Sequence, residues 1–246
     1  MEPLALAGFL LSVALGAYVQ TVTGFALGLI VMGGVTLLNL APVHFTAIVI
    51  GLTALVNNFV ALQWALHHID RRGMLFTLLG MIPATYLGVL LLDHIQNTSI
   101  HSLRLLLGAV ILSGGVLLAL RPHPRKQRSA GWVDASAGVA GGLLAGLFSI
   151  GGPPLVFHFY RQPISLPSVR ATLLATFFIT TLARLFYVGA AGEITRPMLE
   201  VSLYCLPAVF FATLAGRRYP PPLPDIAMRR FAFVLLGLIG LFLLIF

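Results

Sequence analysis

The sequence predicts an all-α polytopic membrane protein made of two inverted structural repeats. Each repeat is a broken or re-entrant helical hairpin plus three transmembrane helices. Three observations carry this. The chain has 246 residues, of which 59% are hydrophobic and 9% charged, a balance that belongs to membrane bundles rather than soluble domains. Its apolar segments include two short pairs, each joined at a glycine-containing polar break. The second half also repeats the order of the first at a shift of 125 residues.

The apolar segments are 4–19, 24–40, 43–66, 74–92, 103–120, 133–148, 153–159, 169–188, 198–214 and 231–246. Segments 43–66, 74–92, 103–120, 169–188, 198–214 and 231–246 are long enough, or nearly so, to cross a hydrocarbon core of about 30 Å. The other four are short or ill-defined. They pair across Gln20-Thr21-Val22-Thr23-Gly24 and across Ser149-Ile150-Gly151-Gly152-Pro153-Pro154. Glycine frees the backbone and proline is tolerated where a helix begins, so each break reads as one helix ending and another starting. Exposed amides at membrane depth are costly and persist only in a protein-lined or wet cavity. Each break is therefore a candidate site; the competing reading is a tight turn between packed helices.

The shift of 125 brings Gly16 onto Gly141, Pro42 onto Pro167, Arg71 onto Arg196 and Arg104 onto Arg229. It divides the chain into a first repeat, 1–121, a basic cytoplasmic linker, 122–129, and a second repeat, 130–246. Loop charge selects the orientation. If each break is a hairpin, the loops 67–72, 121–130, 161–170 and 217–230 share one side and hold 12 of the 15 Lys and Arg residues. If each break is a kink in a crossing helix, the charges divide equally. The positive-inside rule selects the hairpins, an inverted repeat, and both termini on the extracytoplasmic side of the plasma (cell inner) membrane. Full crossing and re-entry have the same parity, so both stay open.

The excess of 15 Lys and Arg over 7 Asp and Glu would suit nucleic acid, but these residues sit in short loops between apolar runs, where they set topology. No nucleic-acid partner is expected; the surrounding partner is the lipid bilayer. The single cysteine, Cys205, excludes an intrachain disulfide and a cysteine-cluster metal site. The histidines have no metal-ligand spacing inside a span, no phosphate loop is present, and no cofactor or metal is expected. A start of Met-Glu-Pro, without a basic region, does not resemble a cleavable signal.

Two hairpin tips entering from opposite faces would meet near the midplane. Helix N-termini there present unpaired N–H groups and about half a positive charge each, a ready anion site. The expected donors are the amides of Gly24, Phe25, Gly151 and Gly152, the hydroxyls of Thr21, Thr23 and Ser149, and the Gln20 side chain. Pro153 would fix the helix start. Arg184 lies deep in its span, within a stripe Thr172, Thr176, Thr180, Arg184 that recurs every four residues. A central charge costs about 2.5–3.5 kcal/mol on insertion scales, so it should face a cavity or a partner. Asn57 and Asn58 lie at the matching depth of the first half. In the functional reading Arg184 neutralises an anion and the asparagines bond its oxygens. In the structural one Arg184 pairs with Asp134 or Glu200.

Gly151-Gly152-Pro153-Pro154-Leu155-Val156, followed by Arg170-Ala171-Thr172, resembles the second-half signature of the sulfite exporter TauE/SafE family. Gln20-Thr21-Val22-Thr23-Gly24-Phe25 resembles its first-half motif, and length, two-half organisation and basic central linker fit along the whole chain. The resemblance implies a permease for small sulfur-containing or organic anions such as sulfite or sulfonates. The chain departs from the pattern at Gly24-Phe25-Ala26, where many members have Gly-Phe-Gly, and at Gly33-Gly34-Val35, where many have a proline. The expected function is a secondary carrier of such an anion, working by alternating access. A cytoplasm-negative potential favours anion exit by about 2.3 kcal/mol per charge per 100 mV, so export needs no coupling ion. A coupling proton or ion and a homo-oligomer are left open. The alternatives are an anion channel and an intramembrane hydrolase using Ser149 with His158 or His44.

Overall fold

The computed structural model describes residues 3–38, 40–96 and 125–222, with isolated positions elsewhere. Among the described residues every regular element is helical. These are α1 (Pro3–Thr23), α2 (Leu27–Leu37), α3 (Val43–Leu62), a 3-10 turn (Leu66–His68), α4 (Arg71–Gln96), α5 (Gly131–Phe148), α6 (Gly152–Phe159), α7 (Leu166–Ala190) and α8 (Arg196–Arg218). Six of them, α1, α3, α4, α5, α7 and α8, are long and apolar enough to cross a membrane. The spans expected over 103–120 and 231–246 lie outside the described residues save for isolated positions.

Two expected boundaries move. The segments at 4–19 and 133–148 were expected short, yet α1 has 21 residues and α5 has 18. In α1 the reason is local. The hydroxyls of Thr21 and Thr23 donate to the carbonyls of Ala17 and Val19 at 2.7 and 2.8 Å, so the polar run 20–23 is absorbed into the helix. In α5 the helix starts at Gly131 and carries Trp132 outward, 74% exposed, while Asp134 turns inward. The returning helices remain short: α2 has 11 residues and α6 has 8. Each broken hairpin is thus a long leg and a short one.

The most extensive helix pair among the described residues is α4 with α5. Gly138, Gly142 and Gly146 on α5 follow each other every four residues and face Thr77, Met81, Ala84, Thr85 and Gly88 on α4. A Cβ on Gly138 would lie 2.1 Å from the Thr77 carbonyl oxygen, and one on Gly146 2.3 Å from that of Thr85. Small residues permit this approach, which in lipid gains dispersion that larger side chains would block. It anchors α5 and hence the second break. The first is anchored by Asn57 on α3, whose amide nitrogen donates one N–H to Thr213 Oγ1 on α8 at 2.7 Å and shares the other between the Ala17 carbonyl and Thr21 Oγ1, each at 3.1 Å.

Candidate functional site

The first break falls later than expected. The chain leaves α1 at Gly24, φ 88°, and turns into α2 at Ala26, φ 95°. Glycine is needed at 24 for a second reason: a Cβ there would lie 3.0 Å from Arg170 Cα. Ala26 holds a conformation that favours glycine, at a cost of order 1–3 kcal/mol. The second break is more regular. Ser149 caps α5 in the left-handed region, φ 57°, Gly151 is the N-cap of α6, and Pro153 sits in its first turn. A proline there gives up no helical hydrogen bond, so Gly151 and Gly152 supply the N–H groups of this end.

The two breaks touch. A Cβ on Gly28 would lie 2.7 Å from the Ser149 carbonyl oxygen, and one on Gly152 3.7 Å from the Phe25 ring. Tyr160, just past α6, donates its hydroxyl to the Thr23 carbonyl at 2.5 Å, and its ring packs edge-on against Phe25. Between the breaks, α3 and α7 lies a cavity of about 50 Å³. That is room for roughly four water-sized atoms. Of the residues expected from sequence, Gln20, Phe25, Asn58, Ser149, Gly151, Gly152 and Arg184 line it. Gly28, Leu29, Phe177, Thr180 and Thr181 line it as well. Gly28 and Leu29 escaped sequence reasoning because the helix start was placed too early.

Thr21, Thr23, Gly24, Asn57 and Pro153 are not on the cavity wall. Thr23 bonds its own turn, Gly24 shapes the chain, Asn57 staples three helices, and Pro153 sets the start of α6. The expected amide donors of the first break need correction. The Gly24 N–H donates to the Gln20 carbonyl at 2.7 Å, and the Phe25 N–H faces Thr23 Oγ1 at 3.4 Å. The amides that the helix itself leaves without a carbonyl are those of Leu27, Gly28 and Leu29. Leu27 donates to Gln20 Oε1 at 3.0 Å, which leaves the other two.

That bond orients a second amide. With Oε1 of Gln20 committed to a backbone donor, its Nε2 points at Asn58 Oδ1, 2.7 Å away. Asn58 must then turn its own Nδ2, a donor, away from Gln20. This atom is buried with no hydrogen-bond partner among the described residues. Gln20 is thus the group that aims Asn58, a role that no sequence pattern announces.

Arg184 is 2% exposed. Its guanidinium donates from Nε to the Gly146 carbonyl at 3.3 Å and from Nη1 to that of Ala47 at 3.5 Å, both long. Neither carboxylate named for it takes that role: Asp134 is bonded to His158 at 2.5 Å and Glu200 to Arg196 at 2.9 Å. No carboxylate of the described residues is in ion-pair range of Arg184. Among the described residues its hydrogen bonds are these two stretched carbonyl contacts, with the Glu193 carboxylate acting on it from beyond ion-pair range, and a buried cation so held is favourable ground for an anion. Ser149 donates its hydroxyl to the Ala47 carbonyl at 2.9 Å, not to a histidine. His158 is engaged with Asp134, and His44 lies 3.6 Å from Glu193. Among the described residues the serine–histidine arrangement that hydrolysis requires is not assembled.

A bundle of membrane-length helices closed around a small donor-lined cavity is the architecture of a multi-pass membrane protein. The chain belongs to the sulfite exporter TauE/SafE family, whose description matches residues 8–243. It is similar to a protein of Cupriavidus necator described as "Probable sulfite/organosulfonate exporter TauE", with 43% identity over 224 residues, 91% of this chain and 88% of that protein. No solved structure matches the chain. The family is one of exporters, not enzymes.

Proposed function

We propose that this protein exports sulfite or a small organosulfonate across the plasma membrane, binding the anion in the cavity between the two breaks. The observation that carries the reading is Arg184, buried in that cavity without a carboxylate partner among the described residues. Arg184 supplies the countercharge, Asn58 Nδ2 and the amides of Gly151, Gly152, Gly28 and Leu29 supply donors, and Gln20 holds Asn58 in register. Donors of this kind suit the oxygens of an ionised sulfur oxyanion. The name borne by the relative from Cupriavidus necator points to the same substrate class.

In this reading the chain consists of inverted repeats over 1–121 and 130–246, with both termini outside and the basic loops in the cytoplasm. Transport proceeds by alternating access, the two short helices α2 and α6 exchanging exposure of the cavity while α4 and α5 stay locked by their glycines. Sulfite and sulfonate flux in proteoliposomes tests the site. Arg184→Ala and Gly152→Leu should both abolish saturable flux and counterflow; if both transport normally, the cavity is not the pathway. Gly152 is an informative position because a Cβ there meets only ordinary contacts, at 3.7 Å or more, with Phe25 and Leu29 of the cavity wall, so a side chain can start there without a clash. A C-terminal reporter found in the cytoplasm would overturn the inverted repeat.

A further inference from the structure

The base of the second hairpin holds a buried ionisable pair that the cavity does not use. Asp134 on α5 and His158 on α6 are joined at 2.5 Å between Oδ1 and Nε2, and their side chains are 3% and 6% exposed. The other carboxylate oxygen, Oδ2, is buried with no hydrogen-bond partner among the described residues. Around the pair runs a polar chain toward the loops. Gln162 Nε2 lies 3.3 Å from His158 Nε2 and donates to Ser129 Oγ at 2.8 Å, and Arg125 donates to the same Ser129 oxygen at 2.9 Å. The charged groups acting on His158 are Asp134 from α5 and, from the loops before α5 and after α6, Arg125 and Arg161. Asp70, ahead of α4, is taken up by Arg128.

Packing alone does not ask for this pair. The positions 125 residues earlier, on α1 and α2, are Phe9 and Gly33. The first hairpin joins its legs through an apolar side chain and small residues, as where a Cβ on Gly34 would meet Ser12 Oγ at 2.9 Å. An ion pair in this place is a costly substitute for such contacts, the more so with one oxygen unsatisfied.

We propose that Asp134 and His158 form a proton-binding site through which the pH on the loop side sets the rate of anion movement. A proton from the loop-side water binds neutral His158 at Nδ1, the ring nitrogen that does not face Asp134, so the charge of the pair rises from −1 to 0, and it returns to the same water. The pair holds the far end of the short rod α6, whose N-terminal glycines face the cavity. A change in its charge therefore alters how α6 is tied to α5 and how the tip meets the anion. This rests on the cavity being the anion site.

The test is sulfite flux in proteoliposomes with and without an imposed pH gradient, for wild type, His158→Gln and Asp134→Asn. The speciation of sulfite shifts identically for all three, so the difference between them reads the pair. Wild type should show a several-fold gradient response, which both variants lose while sulfite still stabilises them thermally within two-fold of the wild-type concentration. If the single variants do not fold, Asp134→Leu/His158→Leu rebuilds an apolar contact like that of the first hairpin, and it too should transport without a gradient response. A gradient response retained in any folded variant overturns the proposal, as does a wild type with none. Failure of the cavity reading is distinct: it appears as normal sulfite flux in Arg184→Ala.

Discussion

Replacing Arg184 by methionine separates an anion receptor from a structural strut, because the two roles predict opposite signs. Methionine keeps the apolar stem and removes the charge. A charge at the centre of a span costs about 2.5–3.5 kcal/mol. The two carbonyl bonds, at 3.3 and 3.5 Å, are long. Stretched beyond the usual range, the two together return roughly 1–2 kcal/mol, about what one well-formed bond to a charged group contributes. The ligand-free variant should therefore be more stable than wild type by about 1–2 kcal/mol. Sulfite binding should move the other way. A charge-assisted hydrogen bond contributes about 1.5–3 kcal/mol, so affinity should fall by roughly 10- to 100-fold. Thermal unfolding in detergent over a sulfite titration reads both quantities in one experiment. If the variant is less stable than wild type and sulfite protects it at the same concentrations, Arg184 is a strut and the anion site lies elsewhere.

Asn58→Ala removes the donor that Gln20 aims, and sulfite affinity should fall by about 3- to 10-fold, roughly one neutral hydrogen bond, in the same titration. Asn58→Asp brings a carboxylate to the cavity and should abolish binding. Ala26→Gly relieves the backbone at φ 95° and should raise the midpoint of thermal unfolding, with a gain of about 1 kcal/mol; an unchanged or lower midpoint would refute strain there. Gly146→Ala drives a Cβ to 2.3 Å from the Thr85 carbonyl oxygen and should cost about 1–3 kcal/mol by wedging α4 from α5, read as a lowered unfolding midpoint.

Much of the site is legible in the chain because lipid leaves few choices. Glycine and proline at membrane depth mark helix starts, and a lone arginine in a span needs a cavity or a partner. Gly151, Gly152, Ser149 and Arg184 follow from those two rules and line one cavity. Neighbouring residues of like type are harder to tell apart. Asn57 and Asn58 differ by one position, about 100° around α3. One staples α1 and α8 while the other faces the cavity. Thr21 and Thr23 look like ligands in a break, yet their hydroxyls close onto carbonyls four residues back and prolong the helix. Asp134 and His158 are 24 positions apart, and nothing but the folding of α6 against α5 makes them a pair.

By itself the sequence determined that this is a multi-pass helical membrane protein, and its motifs placed it among sulfite exporters. Apolar length, loop charge and glycine–proline breaks are local quantities, and lipid reads them locally. The tertiary structure alone decided which donors face inward. It started α2 at Leu27 rather than near Gly24, turned Asn58 by way of Gln20, and kept Arg184 from Asp134 by giving that carboxylate to His158. The physical reason is that a buried polar atom must be satisfied by whatever packing brings near it, and neighbours along the chain do not specify which helix that will be.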